Sequence, residues 1–151
     1  MQITFTVPGE PRGKGRPRFN RTSGRAYTDD KTRDYEIKVA VCFRKAFGTL
    51  VLPRTGFYAI DIVAYLPIPK SVSKATRAAM EDKKILPSRK PDVDNIEKAV
   101  LDALNGIAYK DDSRVYRTSC AKYYDTVPRV EVTITEFEGG GRGWRQGAKT
   151  T

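Results

Sequence analysis

Residues 57–66 read FYAIDIVAYL, ten positions rich in aromatic and β-branched side chains and apolar on both alternating faces except at Asp61. A segment that is apolar on both sides belongs inside a sheet and beneath a covering layer, so the pattern predicts a central strand. Asp61 in its middle has two readings. It stands at an edge or end of the sheet facing solvent, or it is an outlying member of an acidic site.

The covering layer is legible on either side of this strand. Ile96, Ala99, Val100, Ala103 and Leu104 recur at i, i+3, i+4, i+7 and i+8, so NIEKAVLDALN predicts an amphipathic helix with Gly106 as its C-terminal cap. Upstream, Tyr35, Val39, Cys42, Phe43 and Ala46 repeat at helical spacing after Thr28, a capping residue, and stop at Gly48. Residues 70–84 predict a short polar helix capped by Ser73. Strand alternation appears at Ile3, Phe5 and Val7 before the Pro8-Gly9 turn, in VYRTSCAKYY, and after DTVPR in RVEVTITEF. This order defines an α/β (α+β) chain with a mixed β-sheet and helices packed against it. Its 151 residues suit one hydrophobic core, and the expected division is a single domain over 1–138 followed by a flexible Gly-rich, basic tail over 139–151. Trp144 in that tail either stacks on a base or is incidental.

Charge narrows the partners. Lys and Arg total 28 against 18 Asp and Glu, a formal net charge of +10, which favours a polyanion, nucleic acid first. No stretch approaches the roughly 20 apolar residues of a membrane span. MQITFTVPGE lacks the charged start and apolar run of a secretory signal, so a cytoplasmic location is expected. The chain has no histidine, which removes imidazole bases and histidine zinc ligands. Cys42 and Cys120 lie far apart with no CxxC, and both read as buried small hydrophobes without a disulfide. Between residues 12 and 25, Arg12, Lys14, Arg16, Arg18, Arg21 and Arg25 occur with no acid, spaced by Gly and Pro and interleaved with Phe19. The segment predicts a mobile basic loop that contacts phosphates; the alternative is a solvated charged loop. Arg89 and Lys90 continue the basic surface ahead of the helix at 95–105.

Against this background KPDVDNIEK, residues 90–98, concentrates acid. Asp94 with Glu97 three residues on has the pattern of a capping box, which would make it a structural residue. Capping leaves Asp92 unexplained, and likewise the second pair at Asp111 and Asp112. The helix between the pairs is roughly 16 Å long at 1.5 Å per residue, so they meet only if the chain folds back beside it. Clustered carboxylates without histidine or cysteine are tolerable around a hard divalent cation, Mg²⁺ or Mn²⁺. Lys98, one turn beyond Asp94, either neutralises a phosphate oxygen or pairs with Asp102.

PDVDNIEKAVLDALNG followed by YKDDSRV resembles the signature of the RusA family of Holliday-junction resolvases, small endodeoxyribonucleases of bacteria and their phages. The basic PGEPRGKGRPRF resembles the opening of phage-type members. The family's arginine-rich lead into the first aspartate is reduced here to SRKP. The resemblance implies catalytic, metal-binding carboxylates at Asp92, Asp94 and Asp112, an assisting Lys98, a lesser role for Asp111, and a homodimer. The expected activity is Mg²⁺-dependent resolution of four-way DNA junctions by paired cuts in recombination and repair, with DNA contacts from Arg12, Lys14, Arg16, Arg18, Arg21, Arg25, Arg89 and Lys90. The alternative is a noncatalytic binder of branched or single-stranded nucleic acid, with the acids serving as caps. A membrane-associated or protein-interaction module has only the net charge in its favour.

Overall fold

The computed structural model describes residues 1–143. In chain order the elements are β1 (Gln2–Pro8), the short strands β2 (Arg18–Phe19) and β3 (Ala26–Tyr27), α1 (Asp30–Phe47), β4 (Tyr58–Pro67), α2 (Lys74–Glu81), α3 (Val93–Leu104), β5 (Val115–Asp125) and β6 (Arg129–Glu136). Four strands form one mixed sheet in the order β1-β6-β4-β5, and β2 pairs with β3 in a separate hairpin. The run FYAIDIVAYL supplies β4, which lies inside the sheet, antiparallel to β6 and parallel to β5. A parallel neighbour requires a crossover, and the chain from β4 to β5 makes it through α2 and α3.

Register explains why one face of the sheet became core. Ile60 pairs with Ile134, Ile62 with Val132 and Ala64 with Val130, while Phe5 of β1 also lies opposite Val132. Side chains alternate along each strand, so these pairs put apolar rows on one face. α1 and α3 cover that face, with Tyr35, Val39 and Phe43 from α1 meeting Ile96, Val100 and Leu104 from α3 in one buried cluster. Each fully buried side chain of this size contributes about 1.5–3 kcal/mol. Phe43 and Phe5 meet edge to face at 5.5 Å, which ties α1 to the edge strand β1.

The opposite face is polar and half-exposed, and it corrects both readings of Asp61. The residue is neither at an edge nor beside the acidic pairs. It occupies an interior strand, where Arg117 of β5 grips it with two bonds at 3.0 and 3.2 Å and the Ser119 hydroxyl also donates to it. Ser119 and Arg117 hold its carboxyl below the usual carboxylate range, against the opposing effect of burial.

Helix boundaries differ from expectation in three places. Asp29, not Thr28, caps α1, accepting the Thr32 N–H at 2.7 Å. Ala46 faces solvent, and the buried stripe begins instead at Thr32. α3 starts at Val93 with Asp92 in the capping position, so Asp94 lies inside the first turn and is not the cap. The Ser73 cap of α2 and the five buried positions of α3 are as expected, and Gly106 follows α3 with φ of +76°, a conformation glycine adopts without strain. Cys42 and Cys120 are free but only partly buried against the core. Burial pushes the Cys120 thiol up to about 12. No helix among the described residues is long and apolar enough to cross a membrane. Trp144 and the rest of the tail from 144 to 151 lie outside the described residues.

Candidate nucleic-acid and carboxylate site

The basic segment is docked on the protein along its first part, where a mobile loop is expected. The Lys14 N–H donates to the Asn95 carbonyl at 2.9 Å and the Gly15 N–H to the Thr32 hydroxyl at 2.9 Å. Gly13 allows this approach, because a Cβ there would stand 2.9 Å from side-chain carbons of both Asn95 and Pro91. Beyond Pro17 the chain forms the β2-β3 hairpin, whose turn is closed by Asn20 accepting the Thr22 and Ser23 N–H groups.

Lys14 departs from the expected phosphate role. Its ammonium binds Asp102 Oδ2 at 2.6 Å and Glu36 Oε1 at 2.8 Å, clasping the segment to α3 and α1 together. Arg89 is likewise engaged, with Glu10 at 3.2 Å, although both side chains remain open to solvent. Arg12, Arg16, Arg18, Arg21 and Arg25 are exposed. None of these five forms an ion pair among the described residues.

The docked segment and the start of α3 enclose a cleft of 510 Å³ lined by Arg12, Arg16, Lys31, Lys90, Asp92 and Asn95, among others. Asp92 therefore stands in a basic wall. It holds the N-cap position yet makes no side-chain capping bond, so its carboxylate is uncommitted. Asp94 and Lys98 are exposed, and Lys98 does not pair with Asp102, whose carboxylate Lys14 occupies. Lys31 and Asn95 also line this cleft; Asn95 ends the DxDN motif but had no role assigned to it, and Lys31 sits in a helical segment where only the tertiary approach of the basic segment marks it.

Asp112 opens the 3₁₀ turn Asp112–Arg114 that leads into β5. Its Oδ1 is buried without a hydrogen-bond partner. Burial first, and then the Asp102 and Asp111 charges, hold its carboxyl above the usual carboxylate range, against the pull of the facing Tyr109 hydroxyl. That hydroxyl also points at the Leu101 carbonyl at 3.2 Å, and one proton cannot serve both acceptors. Asp111 accepts from Ser113 at 3.0 Å. Tyr109 and Asp102 are thus neighbours of Asp112 that the motif does not reveal, though an aromatic directly ahead of KDD was a signal in plain view.

The helix acid that raises the Asp112 carboxyl is Asp102, two turns and roughly 12 Å along α3 from Asp94 at 1.5 Å per residue. No three carboxylates among the described residues lie close enough together to hold a metal ion. The donor chemistry suits a hard divalent cation, and the Asp112 Oδ1 is left without a hydrogen-bond partner. Asp92, Asp94 and Asp112 of a single protomer nevertheless do not close around one ion.

A mixed sheet covered by helices thus sets one of the motif's carboxylates, Asp92, into a basic cleft. A family model described as Endodeoxyribonuclease RusA matches residues 8–135. The chain belongs to the RusA endodeoxyribonuclease family, which indicates a nuclease acting on DNA junctions. It is also similar to the uncharacterized protein YqaN of Bacillus subtilis (strain 168), at 40% identity over 136 residues, 89% of this chain and 96% of that protein.

Proposed function

We infer that this chain is a Mg²⁺-dependent endonuclease (Mn²⁺ substituting) that resolves four-way DNA junctions by paired phosphodiester cuts during recombination and repair. Asp92, Asp94 and Asp112 are the residues that would hold one or two ions, together with ligands from outside the protomer, and a bound ion would supply an acidified water and charge neutralisation at the scissile phosphate. The observation that carries this reading is the uncommitted Asp92 carboxylate in a cleft walled by Arg12, Arg16, Lys31 and Lys90. Cations in the wall draw the phosphodiester backbone to the carboxylate, which would otherwise repel it. Lys98, exposed and one turn past Asp94, is the residue that would take up charge on the phosphate.

A homodimer follows from the substrate. A four-way junction is twofold symmetric, and two cuts need two sites related by the same axis. Because one protomer does not gather three carboxylates, the remaining ligand positions fall to the DNA phosphate or to the second protomer. The domain carrying this activity is 1–138.

The test is cleavage of a synthetic four-way junction beside a linear duplex, with and without Mg²⁺. Metal-dependent symmetrical cuts in the junction that vanish in Asp112→Asn are expected. Tight junction binding with no cutting under any metal would leave a noncatalytic binder, with the acids as structural residues.

A further inference from the structure

A second cleft adjoins the one at Asp92 and shares Arg12 and Lys31 with it as a common wall. Its volume is 340 Å³, and Glu10, Arg12, Lys31, Asp34, Tyr35 and Lys38 line it. Lys31, Tyr35 and Lys38 fall at i, i+4 and i+7 on α1, so one helix face presents two ammoniums on either side of a phenol. The ammonium of Lys38 lies across the backbone at Gly9, 2.7 Å from where a Cβ would stand.

Tyr35 is the unusual member. It is only 5% exposed, and its hydroxyl is buried with no hydrogen-bond partner among the described residues. The Arg12 backbone N–H faces the phenolic oxygen, but the hydroxyl proton has no acceptor. Burial pushes the phenol up to about 12, so it keeps that proton throughout the physiological range. A buried donor lacking an acceptor, flanked by cations, calls for an anionic oxygen. The two acids in the lining do not fill that need: Glu10 is engaged by Arg89 at 3.2 Å, and Asp34 is exposed to solvent.

We propose that this cleft is a phosphate subsite, in which the Tyr35 hydroxyl donates to a backbone phosphodiester of the bound DNA while Arg12, Lys31 and Lys38 neutralise it. The subsite rests on the nuclease reading above and deepens it: a strand laid through the Asp92 cleft passes over Arg12 and Lys31 and enters the Tyr35 cleft. Its neighbouring phosphate is thereby held away from the carboxylates, which sets the position of the strand relative to the cut.

The experiment compares the full-length parent with Tyr35→Phe and Lys38→Ala in junction binding across a salt series, alongside thermal unfolding of the DNA-free proteins. Tyr35→Phe removes one oxygen and keeps the ring, so the free protein should melt at the parent temperature or above it. Its junction affinity should fall by about tenfold, the scale of a lost hydrogen bond to a charged acceptor. Lys38→Ala should lower the slope of log K against log salt by about 0.9, one phosphate contact. Parent affinity and parent slope in both variants, with Arg16→Ala still weakened, would overturn the subsite and leave the nuclease reading standing. A parent that binds neither junction nor duplex overturns both. Thermal stabilisation of the parent by millimolar inorganic phosphate, lost in Tyr35→Phe while junction binding stays intact, would assign the cleft to a free anion and also overturn the proposal.

Discussion

Lys14 offers a sharp test, because its place in an acid-free run of arginines and glycines suggests DNA contact while its partners make it a clasp. Its ammonium reaches Asp102 at 2.6 Å and Glu36 at 2.8 Å, and the three side chains are 24%, 41% and 21% exposed. Partial shielding and good geometry put each pair toward the upper end of the roughly 0.2–1 kcal/mol found for exposed pairs. Lys14→Met keeps most of the stem and removes both pairs, leaving Asp102 uncompensated beside Asp112. The expected cost is about 1–2 kcal/mol, or roughly 2–8 °C in melting temperature for a chain of this size. Circular dichroism melts and urea titrations measure it. The double-mutant cycle with Asp102→Asn should return a coupling of about 0.5 kcal/mol or more. Burial works against the lysine's charge, but the bonds to Asp102 and Glu36 outweigh it, so its pKa rises above 10.5. The native state therefore holds this proton more tightly than the unfolded chain does. The clasp's contribution is full below pH 10.5 and is lost as pH rises through the raised native value, so parent and variant should converge only in strong alkali. Junction affinity falls modestly as the strap loosens, yet the salt slope should stay at the parent value, whereas Arg16→Ala should lower it by about 0.9 without changing the melt. A Lys14→Met protein that melts within about 1 °C of the parent and loses a full unit of slope refutes the clasp and restores Lys14 to the DNA contacts.

Asp112→Asn should abolish junction cleavage while raising stability at neutral pH by up to about 1 kcal/mol, since it neutralises a half-buried carboxylate with an orphaned oxygen beside two other acids. Loss of cleavage accompanied by a lower melting temperature would make Asp112 a structural residue. Asp61→Asn removes the two-bond contact with Arg117 and should cost about 0.5–1 kcal/mol at pH 7. Because Asp61 titrates below its ordinary 3.8 in the native state, that contribution is present above pH 3.8 and disappears as pH falls through the native value. Acid titration of both proteins should thus show their stabilities converging, and a constant gap would point to a packing effect instead. Lys98→Ala should slow single-turnover cleavage a hundred- to a thousandfold, about 2.7–4 kcal/mol, with stability changed by less than about 0.5 kcal/mol. A rate within about threefold of the parent removes Lys98 from the chemistry.

Periodicity along the chain was sufficient for the three helices and the four strands of the sheet, though not for the β2-β3 hairpin or for Ala46, which faces solvent. The alternation in FYAIDIVAYL marked an interior strand, and the spacing of Ile96, Ala99, Val100, Ala103 and Leu104 named the buried stripe of α3 residue by residue, because burial on one face is a local consequence of side-chain direction. The DxDN, lysine and DD order likewise carried the family, which residues 8–135 match. What local pattern could not supply were relations between elements distant in the chain. Asp61 looked like an edge acid until β5 brought Arg117 and Ser119 beside it from 56 and 58 residues away. Lys14 looked like one more phosphate contact until α1 and α3 converged on it, and Asp94 looked like the cap of α3 until the helix began two residues earlier and put Asp92, with no capping bond, in that position. The charge of a side chain is written in the sequence. Whether that charge is spent on a protein partner or left for a ligand depends on which groups packing carries within hydrogen-bonding distance, and for Lys14, Tyr35, Asp92 and Asp112 only the tertiary structure decided it.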